Sequence, residues 1–169
     1  SLAFWLGSIA LVTVLVAEQG RFHPSIAAAL ERLQLDPQRV VGEEVRIRMS
    51  PDGHFWARAR IGNTERRMLV DTGATVTAIS PATAAAAGNA IRGGMTPVIV
   101  QTANGAATGQ TATIDRLTIG GITARDHAVV VSPTLGPIDV LGMNFLSELK
   151  SWRVEGRTMV LVPEPAATD

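Results

Sequence analysis

The chain has 169 residues, and its Lys+Arg 15 balance its Asp+Glu 15, so the formal net charge is zero. That length holds one ordinary domain with an appendage and leaves no room for two full domains. The neutral balance offers no general electrostatic grip on nucleic acid, which is not expected as a partner. Cysteine is absent, which excludes disulfides, thiolate metal sites and a cysteine nucleophile.

The chain opens on an apolar run. From Leu2 to Ala17 no residue is charged, and most are Leu, Ala, Val, Ile, Phe or Trp. A full helical span of a bilayer takes roughly 20 residues. Residues 1–17 therefore read as an N-terminal hydrophobic helix and membrane anchor, the surviving end of a longer span, with a signal-peptide core and a buried helix as the competing readings. Orientation is not set by charge, because acidic and basic residues alternate after the run (Glu18, Arg21, Glu31, Arg32, Asp36, Arg39). Residues 18–42 read as a stalk with one short helix: Pro24 and Ser25 start it, Ile26 to Leu33 favour it and Pro37 stops it.

From residue 43 to 163 the hydrophobic period becomes two. Val45 to Met49 alternates apolar with basic residues, Pro51-Asp52-Gly53 turns the chain, and Phe55 to Ile61 resumes the alternation. The arginines along these strands read as a solvated face. Arg66 to Val70 is a strand ending in an apolar run, followed by Asp71-Thr72-Gly73-Ala74-Thr75 and a short strand through Ser80. Pro81 to Ala87 predicts a short helix closed by Gly88. Val98-Ile99-Val100 is a strand, and Asn104-Gly105 is the strongest short hairpin signal in the chain. Thr111 to Ile119 and Ile122 to Val131 predict a hairpin around Gly120-Gly121. Ile138 to Leu141 leads to Gly142 and a short helix through Leu149. Trp152 to Val154 and Met159 to Val162 pair across Glu155-Gly156, and residues 164–169 form a polar tail. Strands at this spacing, separated by Gly and Pro turns, predict an all-β barrel or sandwich.

Asp71 is the position that needs a reason. A carboxylate at the end of a buried strand is costly unless it is hydrogen-bonded or partnered. A bare Asp-Thr-Gly is also what an ordinary turn supplies, its Asp accepting backbone hydrogen bonds. The neighbouring sequence separates the two readings. Leu69-Val70-Asp71-Thr72-Gly73-Ala74-Thr75 resembles the active-site strand and loop of retropepsin-like aspartic proteases. Val140-Leu141-Gly142 is similar to the hydrophobic-hydrophobic-Gly element that packs beside that loop in the family. The hairpin at Asn104-Gly105 falls between them, where the family places its flap. The resemblance covers residues 43 to 163. Leu141-Gly142-Met143-Asn144-Phe145-Leu146, with the apolar N-terminal segment, resembles the bacterial membrane-anchored branch more than the retroviral one.

The resemblance implies a single-lobe retropepsin-like barrel with one or two short helices, acting as an aspartic endopeptidase without a cofactor. That chemistry needs two neighbouring carboxylates that share one proton, one acting as base on a water while the other polarises the scissile carbonyl. One Asp-Thr-Gly on one lobe supplies a single carboxylate, so a homodimer with Asp71 from each copy at the two-fold axis is expected. By the same resemblance Thr72 reaches across the axis to the partner loop, and Gly73 permits the close approach of the two aspartates. Ala74 belongs to the same loop, and Thr75 supports it by a hydrogen bond. Ala103, Asn104 and Gly105 form the flap tip over an extended peptide or protein substrate, and Val140, Leu141 and Gly142 pack the loop. Met143-Asn144 departs from the retroviral pattern, which often places a basic residue after the glycine, so an ion pair that braces those dimers is missing.

Other chemistries find no foothold. His23, His54 and His127 lie far apart with no metal-ligand spacing, so no metal is expected. Ser80, Ser132, Ser147 and Ser151 lack a nucleophile-elbow context, and no phosphate-binding Gly-rich loop is present. Trp56 and Trp152, on strands, read as core rather than cleft. The alternatives to an enzyme are a non-catalytic module of the same fold that binds peptide or dimerises, and a purely structural β domain. The bacterial resemblance implies an inner-membrane protein with its protease domain in the periplasm.

Overall fold

The computed structural model describes residues 37–93, 96–102 and 105–165. The expected anchor at residues 1–17 and the helix at Ile26 to Leu33 lie outside the described residues. Among those described, no helix is long and apolar enough to cross a membrane.

The strands are β1 (Gln38–Val41), β2 (Glu44–Arg48), β3 (Trp56–Ile61), β4 (Thr64–Val70), β5 (Thr77–Ile79), β6 (Ile91–Arg92), β7 (Pro97–Thr102), β8 (Gly105–Ile119), β9 (Ile122–Val131), β10 (Asp139–Leu141), β11 (Ser151–Glu155) and β12 (Thr158–Val162). Two short helices interrupt them, α1 (Pro81–Ala87) and α2 (Met143–Leu146). Neighbours run β3-β4-β10-β5-β9-β8, and β8 pairs back onto β3 through Ala59↔Ile119 and Ile61↔Leu117, which closes six strands into a barrel. A second sheet, β1-β2-β12-β11, lies outside this path. It contributes Val45, Ile47, Met159 and Leu161 to a core shared with Ile61, Met68, Leu117, Ile119, Leu141, Phe145 and Leu146. Trp152 packs against that core as expected. Trp56 does not: its indole N–H donates to Asp52 at 2.8 Å, and the Arg67 guanidinium lies over the ring.

The folded domain starts earlier than residue 43. β1 covers four residues that the sequence places in the stalk, and it pairs with β2 from Gln38↔Ile47 to Val41↔Glu44. Gln38 also fastens it to the barrel. Its side-chain amide donates to Arg58 O at 3.0 Å and accepts from Arg58 N at 2.6 Å, taking the place of a strand partner beside the β3–β8 pairing. A polar residue next to Pro37 carries no hydrophobic signal, so the strand is invisible to periodicity.

α1 forms where the local chemistry asks for it. Ser80 is the N-cap, its hydroxyl accepting from Thr83 N, Pro81 occupies the first turn and Gly88 ends the helix. Beneath the cap lies Asp139, buried at the start of β10. It accepts from Ser80 N at 2.8 Å and from the Thr83 hydroxyl at 2.6 Å, and Arg66 Nε donates to the same hydroxyl at 3.0 Å. The carboxylate therefore ties β10 to the β5–α1 junction and has partners on both oxygens, as a buried charge requires.

The β8–β9 hairpin changes faces halfway. Near its turn, Leu117, Ile119, Ile122 and Ala124 point into the core, whereas further along it is Ile114, His127 and Val129 that do. Strict alternation from Ala124 would put His127 on the outside. The change occurs at Asp126, which has φ +49, a left-handed conformation that Asp tolerates better than most residues. Asp126 and Asp115 both engage Arg92 at this crossover.

Substitutions at two positions test these points. Asp139→Ala leaves Ser80 N and Thr83 without their acceptor in the interior, and is expected to cost about 2–4 kcal/mol in urea unfolding. Asp126→Val should cost about 1–2 kcal/mol while Asp126→Gly stays within about 0.5 kcal/mol of the parent, because only the branched residue resists positive φ.

Candidate active site

Asp71 directly follows β4, and its loop is sewn to the β10–α2 segment at both ends. Pairing is parallel at Val140↔Leu69 and Leu141↔Val70, and it continues past the strand as Asp71 N donates to Leu141 O at 3.0 Å. On the far side of the loop, Met143 N donates to Ala74 O at 2.7 Å and Asn144 N to Thr75 O at 3.0 Å. Within the loop, Asp71 Oδ1 accepts from Gly73 N at 2.8 Å and Asp71 O from Ala74 N at 3.2 Å. The carboxylate is half-buried, with one oxygen oriented by a backbone donor.

Proximity requires one glycine and favours a second. A Cβ on Gly142 would lie 2.6–2.8 Å from the Val76 carbonyl group and Thr77 N, backbone atoms that cannot yield. A Cβ on Gly73 would approach Asp71 Oδ1 to 3.1 Å and press on the hydrogen bond that orients it.

Under the loop, Thr77 is a junction. Its hydroxyl donates to Asn144 Oδ1 at 2.9 Å, accepts from Gly142 N at 3.1 Å and lies 3.0 Å from His127 Nε2. Asn144 is fixed in turn, its Oδ1 accepting from Thr77 N at 2.8 Å and its Nδ2 donating to Ala128 O at 2.8 Å. In the sequence Asn144 marks the loss of a basic residue. In the structure it joins β5, α2 and β9 directly beneath the aspartate loop.

The expected residues divide accordingly. Asp71, Gly73, Ala74, Val140, Leu141 and Gly142 converge on one loop assembly. Thr72 is exposed and, among the described residues, its side chain has no hydrogen-bond partner. The expectation for Thr75 needs correction: its side chain is exposed, it contributes its backbone carbonyl, and the supporting hydroxyl is that of Thr77, two residues on and buried. Gly105 opens β8 on the exposed β7–β8 hairpin, in register with Thr102, whereas Ala103 and Asn104 lie outside the described residues. Thr77 was not singled out by the sequence, Asn144 was read only as standing where a basic residue is missing, and His127 only as an isolated histidine. Thr77 stands two residues beyond the Asp71 motif, the bonds of the Asn144 side chain leave no mark in the sequence, and His127 is hidden by the change of face at Asp126. Among the described residues no cluster of His, Asp or Glu could hold a metal ion.

Comparison with known proteins agrees with this geometry. The solved retropepsin-like aspartic protease from Rickettsia conorii is 28% identical, covering 70% of this chain and 88% of that one, with a TM-score of 0.54. A protein encoded in the cobV 5′ region of Sinorhizobium sp. is 34% identical over 116 residues, which is 64% of this chain and 47% of that protein. The chain thus spans about half the length of this curated relative. The gag-polyprotein putative aspartyl protease family matches residues 57–148. A match over more than half of the chain, running from within β3 to Glu148 and so enclosing both the Asp71 loop and Gly142, makes this protein a member of the retropepsin-like aspartic protease family.

Proposed function

We propose that the protein is an aspartic endopeptidase assembled as a two-fold homodimer, each copy contributing Asp71 to one shared dyad. The observation that carries this reading is the state of the loop. Asp71 is oriented, with one oxygen on Gly73 N, while Thr72 beside it is exposed and its side chain has no hydrogen-bond partner among the described residues. A single barrel supplies half of a proton-sharing pair, and a second copy related by a two-fold axis brings the other half together with a partner for Thr72. With both carboxylates in place, the charged member takes a proton from a water, the water oxygen attacks the peptide carbonyl, and the protonated member donates to the carbonyl oxygen. The collapse of that adduct returns a proton to the leaving amine.

The β7–β8 hairpin supports an extended substrate, since its strands carry backbone groups suited to adding a peptide as a further strand. We place the domain on the periplasmic side of a bacterial inner membrane, a reading that rests on the apolar run from Leu2 to Ala17 and on resemblance.

The decisive measurement is cleavage of an unbiased peptide mixture between pH 3 and 8. The parent protein should generate products with a rate per molecule that rises with protein concentration, and Asp71→Asn should lower that rate by at least about 1,000-fold. Dimerisation of both proteins with no cleavage by either would replace this reading with a non-catalytic peptide-binding module.

A further inference from the structure

We propose that His127 is a positioning residue for the aspartate loop, holding Thr77 through its Nε2–H, and that a second proton on Nδ1, which puts a charge on the buried ring, lowers in acid the stability of the layer it braces. The proposal rests on the protease reading for its effect on catalysis, but the brace itself is a property of the fold.

Thr77 Oγ1 has one hydrogen and two lone pairs. Asn144 Oδ1 can only accept, and its orientation is set because Nδ2 donates to Ala128 O while Oδ1 accepts from Thr77 N. The Thr77 hydrogen therefore goes to Asn144, one lone pair takes Gly142 N–H, and the remaining lone pair faces His127 Nε2 at 3.0 Å. That nitrogen must carry hydrogen, so the neutral ring is the Nε2–H tautomer and Nδ1 is a bare acceptor.

Nothing satisfies that acceptor. His127 is 1% exposed, and Nδ1 has no hydrogen-bond partner among the described residues. It faces Glu148 Oε1 at 3.5 Å, the outer edge of hydrogen-bonding distance, and a carboxylate has no hydrogen to give. Two acceptors thus confront each other just beyond α2, and only a proton on Nδ1 would join them. The other groups around the ring are uncharged: Thr77 on β5, Ile114 opposite on β8, and Asn144 with Phe145, edge-on to the ring, on α2. The neighbouring Asp126 is exposed and engaged with Arg92, and the Asp71 carboxylate is bonded to Gly73 rather than to this network.

The sign follows from the two opposing influences on the ring. Burial pushes the His127 imidazolium below its ordinary range, and the half-exposed Glu148 carboxylate, which favours the charged form, only partly offsets this. The unfolded chain therefore takes up this proton first, near the ordinary value of about 6.5. The contribution of His127 to stability is complete above that pH, and falls as pH drops from there through the lower value of the folded state. The core layer that loses stability is the one holding Thr77, Gly142 and Asn144.

The test uses the full chain. Nitrogen NMR of the His127 ring at pH 7.5 should show the Nε2–H tautomer, with a protonation midpoint below about 6.5. Glu148→Gln should lower the protonation constant by about three- to tenfold while leaving the tautomer unchanged. Across the same titration, exchange protection of the Gly142 amide should fall in the parent chain. In His127→Gln, which keeps a donor near the Nε2 position but cannot titrate, protection should stay level. If peptides are cleaved, the parent should lose kcat on the acid side with KM little changed, and His127→Gln should lack that loss. An Nδ1–H tautomer, a midpoint at or above about 6.5, or Gly142 protection that falls equally in His127→Gln would overturn the brace. Expected ring behaviour in a protein that cleaves nothing would uphold the brace and remove only the protease reading.

Discussion

The contact between Gly142 and the Val76–Thr77 backbone is the constraint on which the site depends. At that point two segments about 65 residues apart in sequence come so close that only a glycine fits between them. The close approach lets Thr77 take the Gly142 amide. It also aligns Met143 and Asn144 with the carbonyls of Ala74 and Thr75. The aspartate loop is therefore not a surface loop with one acidic residue. It is fastened at Leu141 on one side and at Met143 and Asn144 on the other, so Asp71 enters any reaction with its backbone already fixed. Preorganisation of this kind separates a catalytic carboxylate from a turn residue, because the reacting group need not be ordered when substrate arrives.

The same assembly is incomplete in one direction only. Toward the core the loop is bonded through Asp71 N, Ala74 O and Thr75 O, while toward solvent, among the described residues, the Thr72 side chain has no partner and Asp71 has an oxygen to spare. Unmatched polar groups at a solvent face cost little in the single chain and become useful when a second copy meets them. The barrel thus separates two tasks. Folding positions one carboxylate through hydrogen bonds within the chain, and in the proposed dimer association would supply the neighbour that carboxylate needs.

Much of this was legible in the sequence, and what was not has physical causes. The strands from β2 to β5 and from β8 to β12 follow from period-two alternation and Gly turns, α1 from Ser80, Pro81 and Gly88, and the Asp71 and Gly142 motifs from local residues. β1 was missed because a side-chain amide, rather than apolar burial, secures Gln38. β8 begins at Gly105, well before the expected Thr111, because its first part, which pairs with β7, is built of Gly, Ala, Thr and Gln and carries little hydrophobic signal although Ala107 is buried. His127 was dismissed as an isolated histidine because metal-ligand spacing was the wrong criterion. Its role comes from a single left-handed residue, Asp126, that turns the strand over and sends the next side chain inward. Periodicity reports the face a residue should occupy, and fails where the backbone changes face.

The parallel pairings have a consequence for how the chain reaches this state. β4 meets β10 at Met68↔Asp139, and β5 meets β9 at Thr77↔Val129, so two of the barrel's seams join segments more than fifty residues apart. Such contacts incur loop-closure entropy before they return any stabilisation, which makes them late events in folding. During synthesis β3, β4 and β5 leave the ribosome long before β10 can be inserted between β4 and β5. Until then the edges of β4 and β5 are open to other strands, and the aspartate loop has none of its Leu141, Met143 and Asn144 anchors. The site therefore comes into being in a single step with barrel closure, and a nascent chain carries the Asp-Thr-Gly without the geometry that gives it meaning.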